Sequence, residues 1–414
     1  MKTRRLPWLL AVGGLALACS DSPTAPGLIT HLPRQLTAAE LGVIAASNSF
    51  AFGLFREVNA AHADSNVFLS PLSASMALGM TTNGAAGATL DSMRAALGFG
   101  QMPLADIDAS YQSLIALLRG LDPNVDFRIA NSIWYRQGFP FEASFLDLGR
   151  LYFDARIEAL DFADPGAPGV INGWVNDNTN GRIPTIVDQI PRDAVMYLIN
   201  AIYFKGAWTF RFDSADTRDG SFFVPGGATA PARFMSLRDT LRYYEDASLQ
   251  AVDLAYGGGP FAMAVVLPRE GGDVNALIGG LTASGWRDLT GRFTAREVDL
   301  YLPKFRLTWE DLLNDPLSAL GMGIAFRPGE ADFTGMSRQA GHELFISKVK
   351  QKTFVDVNEE GTEAAAATAV EMSLTSVGPG RPVMRVDRPF LFAIRERYSG
   401  TLLFVGKIVR PPAS

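Results

Sequence analysis

With 414 residues, the chain is long enough for one large domain or two ordinary ones, and at 48% hydrophobic and 19% charged it carries ample core material, which excludes wholesale disorder. A net charge of −6 argues against a general phosphate-backbone binder, so no nucleic-acid partner is expected. One cysteine excludes an internal disulfide framework or thiolate metal cluster, and three scattered histidines (His31, His62, His342) leave no His-rich site, so neither metal nor cofactor is expected.

Met1 to Ala18 reads as an export signal: Lys2, Arg4 and Arg5 precede an apolar stretch, Leu6–Ala18, that is short for a membrane span. It closes on Leu15-Ala16-Leu17-Ala18-Cys19, which resembles a bacterial lipobox, making Cys19 the expected lipidated residue. The plainer alternative is an ordinary signal peptide with an incidental cysteine. Residues 19–37 then form a polar Pro/Ser tether with little to bury. The expected location is outside the cytoplasm, lipid-anchored at the cell envelope (the outer membrane where one exists) or extracellular, with that anchor as the chain's sole link to a membrane.

Thr37-Ala38-Ala39-Glu40 has the spacing of a capping box, and Leu41, Ile44, Phe52 and Phe55 recur at near-helical intervals, so a helix begins near residue 38. Ser70-Pro71 gives a second helix start, with Ser as cap and Pro at the first helical position, running through Leu72, Met76 and Met80 to Asn83-Gly84. Ala194–Phe204 and Phe261–Leu267 are short apolar runs of the kind buried on both faces. Val298, Leu300 and Leu302 alternate as in a half-buried strand, and Lys352–Val357 and Thr401–Val409 are also strand-like. Helices dominate the first half and strands the second, an α+β pattern. No composition break divides residues 38–414, which are expected to form a single domain.

Catalytic signatures are missing. No G-x-S-x-G, Walker loop, G-x-G-x-x-G or H-E-x-x-H occurs, and Gly257-Gly258-Gly259-Pro260 lacks the Lys-Ser/Thr of a phosphate cradle. Glu359 and Glu360 are adjacent, so on a strand they point to opposite faces and do not converge as an acid/base pair. An enzyme is therefore not expected.

The informative stretch runs from Glu359 to Met372. Its alanines suit a helix. As a strand, it places Thr362, Ala364, Ala366, Thr368, Val370 and Met372 on one uncharged face and Glu363 and Glu371 on the other. The segment alone leaves helix and strand open.

Its surroundings resolve the choice, because the chain beyond the tether resembles the serpin family. The matching runs are ordered: Asn66–Ser73, Asn83-Gly84-Ala85, Asn131–Trp134, Ile171–Val175, Thr179–Ile183, Asn200–Trp208, Leu302–Phe305, Glu359–Thr368, Arg388–Phe392 and Leu403–Lys407. The resemblance implies a serpin fold, about eight or nine helices around three β-sheets, with an exposed reactive-centre loop at about 360–382. It also implies a monomeric inhibitor whose partner is a serine protease, held as a covalent acyl-enzyme while the cleaved loop inserts into the largest sheet. Thr362 to Thr375 would insert as a strand of roughly 46 Å at ~3.3 Å per residue, and the leading inward side chains must be small and uncharged.

By the same resemblance the hinge is Glu359, Glu360, Gly361, Thr362, Glu363, Ala364, Ala365, Ala366, Ala367 and Thr368, with Gly361 supplying backbone freedom. It carries no bulky residue or proline, which points to an inhibitor. Counting sixteen residues on from Glu359 places the cleaved bond between Thr375 and Ser376, with Leu374 and Met372 as alternatives. Such uncharged side chains suit elastase-like or chymotrypsin-like pockets. Ser70, Ser73 and Asn200 match the polar cluster controlling the gap between the central strands. Its usual histidine is replaced by Gln351, which hydrogen-bonds but does not titrate near neutrality. Trp208, Lys304 and Glu359 match the point where insertion begins. The alternatives are a non-inhibitory serpin acting as carrier or chaperone, or an inhibitor of cysteine proteases.

Overall fold

Local chemistry starts the first helix, α1 (Ala38–Ala61). The Thr37 hydroxyl accepts from the Glu40 amide at 3.2 Å, and the Glu40 carboxylate accepts from the Thr37 amide at 2.7 Å, so two donors that the helix leaves free are satisfied reciprocally. Ile44, Phe52 and Phe55 are buried as the spacing predicts, whereas Leu41 is exposed on the solvent side. The computed structural model describes residues 28–192, 194–362 and 380–412.

Eight further helices follow among the described residues: α2 (Pro71–Thr82), α3 (Gly87–Ala96), α4 (Leu104–Gly120), α5 (Ala143–Phe153), α6 (Ala167–Asn178), α7 (Val274–Gly279), α8 (Ala283–Gly291) and α9 (Asn314–Leu317). Pro71 opens α2 as expected. Ser70 stands at its cap position, but the hydroxyl does not cap; it donates to the Leu403 carbonyl at 3.0 Å.

The strands are β1 (Val67–Leu69), β2 (Val125–Arg136), β3 (Arg156–Leu160), β4 (Met196–Ala207), β5 (Arg218–Phe223), β6 (Thr229–Glu245), β7 (Leu249–Tyr256) and β8 (Phe261–Pro268). After them come β9 (Thr294–Pro303), β10 (Phe305–Leu312), β11 (Lys350–Asn358), β12 (Gly361–Thr362), β13 (Val383–Arg385), β14 (Phe390–Glu396) and β15 (Leu402–Ile408). β8, β14 and β15 are buried at every residue, which is why they read as continuous apolar runs. β11 alternates strictly between buried and half-buried positions.

Hydrogen bonding joins the strands into a six-stranded sheet, β10-β11-β12-β4-β2-β3, and a nine-stranded sheet, β1-β15-β14-β8-β7-β6-β9-β13, with β5 on β6. The second corresponds to two of the three expected sheets, fused because the long β6 ladders with both β7 and β9. The main core is continuous across both sheets and α1, α2 and α4; a smaller one, with Trp134 and Trp174 edge to face, lies under α6. The six-stranded sheet has an unusual centre. Among the described residues β4 and β11 form no ladder with each other; the two-residue β12 lies between them and pairs with both.

Candidate functional site

The seat of β12 is tight. Gly361 pairs with Ala207 on one side and Asn358 on the other, while Thr362 pairs with Gly206 and Val357. Gly361 has φ of 153°, and a Cβ there would lie 2.1 Å from the Gly206 carbonyl oxygen and 2.7 Å from Ala207 Cα. Both obstacles are backbone, so glycine is required. Facing it, Gly206 lets the Tyr256 ring approach the strand. The Tyr256 and Thr362 hydroxyls are 2.6 Å apart, which satisfies two buried polar groups together.

The turn before β12 is held from β4's end. The Trp208 amide donates to the Glu360 carbonyl at 2.8 Å, the Phe212 amide to the Glu359 carbonyl at 3.1 Å, and the Trp208 indole N–H to the Asn358 carbonyl at 2.9 Å. The indole stacks on Tyr256, with centroids 4.5 Å apart and planes 16° from parallel. Such a pair contributes about 0.5–1.5 kcal/mol beyond area burial. The Glu359 carboxylate accepts from Lys304 Nζ at 2.6 Å and from the Thr217 hydroxyl at 2.7 Å. Burial pushes the Glu359 carboxyl up, but the Lys304 and Thr217 bonds together outweigh it, and the group lies below its ordinary value. Trp208, Lys304 and Glu359 are thus brought together around one turn. Glu360 is directed away from Glu359, into a groove it shares with Lys205 and Arg211.

The second expected cluster lies under the gap between β4 and β11. Gln351 on β11 grips one residue twice: its Oε1 accepts from the Ser70 amide at 3.0 Å, and its Nε2 donates to the Ser70 carbonyl at 2.8 Å. On the β4 side, the Ser73 hydroxyl donates to Asn200 Oδ1, Asn200 Nδ2 donates to Asn131 Oδ1, and Asn131 Nδ2 donates to the Phe153 carbonyl at 2.7 Å. Among the described residues no hydrogen bond joins Gln351 to Asn200. Among the described residues the network is split, and its halves meet at the start of α2, with Ser70 at the cap position and Ser73 in the first turn.

Several contributors carry no signal in the sequence pattern: Tyr256, Thr217, Asn358 and Asn131 reach the site through contacts distant in sequence. Cys19, the bond candidates Thr375, Ser376, Leu374 and Met372, and the hinge residues Glu363, Ala364, Ala365, Ala366, Ala367 and Thr368 lie outside the described residues. The Gly257–Gly259 run is a turn between β7 and β8. His62 and His342 face Asp311 and Asp332 respectively, and no group of three potential metal ligands occurs among the described residues.

Among the described residues, β4 and β11 at the centre of the six-stranded sheet are joined through β12, with the glycine-seated turn at one end of the gap. The serpin family model (serine protease inhibitor) matches residues 45–411. The chain is 34% identical over 381 residues to an uncharacterized serpin-like protein of Thermococcus kodakarensis, covering 90% of this chain and 86% of that one. It is 34% identical over 378 residues to the leukocyte elastase inhibitor of Equus caballus, covering 88% and 98% respectively. Among solved structures, human thyroxine-binding globulin complexed with its ligand superposes with a TM-score of 0.83 at 27% identity, covering 91% of this chain and all of that one. The thermophilic serpin Tengpin in the native state gives 0.80 at 30%, covering 92% and 96%. The chain belongs to the serpin family, and the serpin fold is established.

Proposed function

We propose that the chain inhibits serine proteases as a suicide substrate and is not itself an enzyme. The protease serine attacks the Thr375 carbonyl, the bond to Ser376 breaks, and the Ser376 amine leaves, so the cleaved end stays esterified to the protease. The loop then extends β12 between β4 and β11, carrying the acyl-enzyme with it. Leu374 and Met372 remain alternative sites of cleavage. The uncharged candidates fit an elastase-like or chymotrypsin-like pocket. On the sequence reading, the chain acts as a monomer outside the cytoplasm, anchored through a lipid on Cys19.

One observation carries this reading: β12 already occupies the entry between β4 and β11, with Thr362 the first small side chain turned inward. Extension of that strand needs no ladder between β4 and β11 to be broken. Incubation with elastase and with chymotrypsin, followed by denaturing gels, tests it. A band at the summed mass that survives denaturation is expected, together with a released C-terminal fragment whose mass gives the cleaved bond. Clean clipping without that band would favour a carrier or chaperone role, and a band with papain-type enzymes alone would shift the target class.

A further inference from the structure

We propose that the end of the molecule where the N-terminal tether leaves the body is a docking face for an anionic lipid surface. The described chain begins at Leu28, and its first contacts fix where the tether emerges. The Ile29 amide donates to the Gly258 carbonyl at 2.8 Å, the Tyr398 hydroxyl donates to the Ile29 carbonyl, and the Ile29 side chain lies against Gly258. Gly258 in turn donates to buried Asp122 at 2.7 Å, and the Gly257 amide and carbonyl bind Ala207 and Thr209 at the end of β4. The tether exit, the β7–β8 turn and the stretch after β4 are therefore one contiguous region.

Two kinds of side chain collect there. Leu28, Phe210 and Tyr398 are large apolar or aromatic residues left 66%, 44% and 36% exposed. Lys205 and Arg211 line an open groove of about 610 Å³ beside them, and among the described residues neither has a carboxylate partner, whereas most arginines of this chain do. Of the acids lining the groove, Asp122 is turned to Gly258 and Asn124, and Asp126 to Arg128, which leaves Glu360 against the two cations. Aromatic residues next to basic ones are the composition that settles at a lipid–water interface. A lipid on Cys19 would be joined to Leu28 by residues 20–27, a leash of at most about 30 Å. The bilayer would then stand at high effective concentration beside this face, so weak contacts suffice to orient the body.

The setting rests on the proposed lipid anchor, but the face is tested without it. The chain from Cys19 onward, with that thiol blocked, is sedimented with vesicles of phosphatidylglycerol and phosphatidylcholine and with vesicles of phosphatidylcholine alone. Binding to the anionic vesicles that weakens with salt is expected. Removing both cations (Lys205→Gln with Arg211→Gln) should lower partitioning about 30-fold, the equivalent of about 1 kcal/mol for each. Phe210→Ser should lower it independently, and Arg287→Gln on α8 should leave it unchanged. Circular dichroism of each variant separates lost binding from lost fold. Equal binding to both vesicle types, or binding indifferent to all three changes, overturns the proposal. So does capture by soluble dextran sulfate that needs the two cations but not Phe210, which would mark a polyanion groove instead. Fatty-acid labelling of the exported protein, abolished by Cys19→Ala, reports separately on the anchor.

Discussion

Gly361→Ala perturbs the one position where the seat of β12 has no slack. The added methyl would stand 2.1 Å from the Gly206 oxygen, where ordinary contacts begin near 3.4 Å, so the backbone must move by more than 1 Å or β12 must leave. Leaving forfeits two residue pairings on each side and the Thr362–Tyr256 hydroxyl bond. At about 0.5–0.8 kcal/mol net for each of these five, toward the lower end of the usual range, the loss is on the order of 2–4 kcal/mol. If insertion starts from this seat, the same free energy is added to its barrier, slowing it ~30- to 1000-fold. Hydrolysis of the acyl-enzyme is untouched and wins the competition. The variant should therefore be cleaved at a normal rate but released, with the ratio of covalent complex to cleaved chain on a denaturing gel falling by that factor. Glu360→Ala, which leaves the seat intact, serves as the control. An unchanged ratio in Gly361→Ala would refute the assignment of β12 as the starting point.

Four further outcomes follow from named contacts. Lys304→Glu sets two carboxylates against each other at the turn, so it should speed loop insertion or polymerisation on warming, read by native gels; unaltered rates count against the Lys304–Glu359 pair as a lock. The pair itself should weaken in acid, because the Glu359 value is depressed on folding: its contribution is present above the ordinary carboxylate range and is lost as pH falls through the lower folded value. Gln351 does not titrate, so Gln351→His should add a pH dependence of insertion between about pH 5.5 and 7.5 beyond any in the wild type; superimposable pH profiles of the two proteins refute the assignment. Asp108, buried on α4 with the Asn83 amide as its partner, has its carboxyl pushed up by burial to about 6. The native state then takes up a proton that the unfolded chain does not, so stability against urea should rise as pH falls from 7 to about 5, by about 1 kcal/mol, and Asp108→Asn should abolish the rise.

What the sequence disclosed follows the range of each interaction. The capping box at Thr37 and Glu40 and the start of α2 at Pro71 are set within one turn, so spacing alone finds them. The buried strands β8 and β15 announce themselves because both faces are covered. Leu41 fits the period of α1 yet faces solvent, since a period marks a helix without saying how wide its buried stripe is. The Ser-Pro pair suggests a cap at Ser70, but the hydroxyl's partner Leu403 lies 333 residues away, beyond any local rule. Only the family resemblance, not spacing, associates Lys304 with Glu359 and Gln351 with Ser70. Tyr256, Thr217 and Asn131 join the site through tertiary contacts alone, so no pattern marked them. Backbone freedom is the reason for Gly361 that the sequence suggests; the structure adds a steric one, the closeness of the Gly206 carbonyl.

The proposed mechanism requires a native state that stops short of its lowest free energy. Thermal unfolding before and after a single cut in the 363–379 segment measures this directly. The account predicts a cut chain that melts well above the intact one, because the freed segment completes the strand between β4 and β11. A cut chain that melts at or below the intact temperature would contradict it.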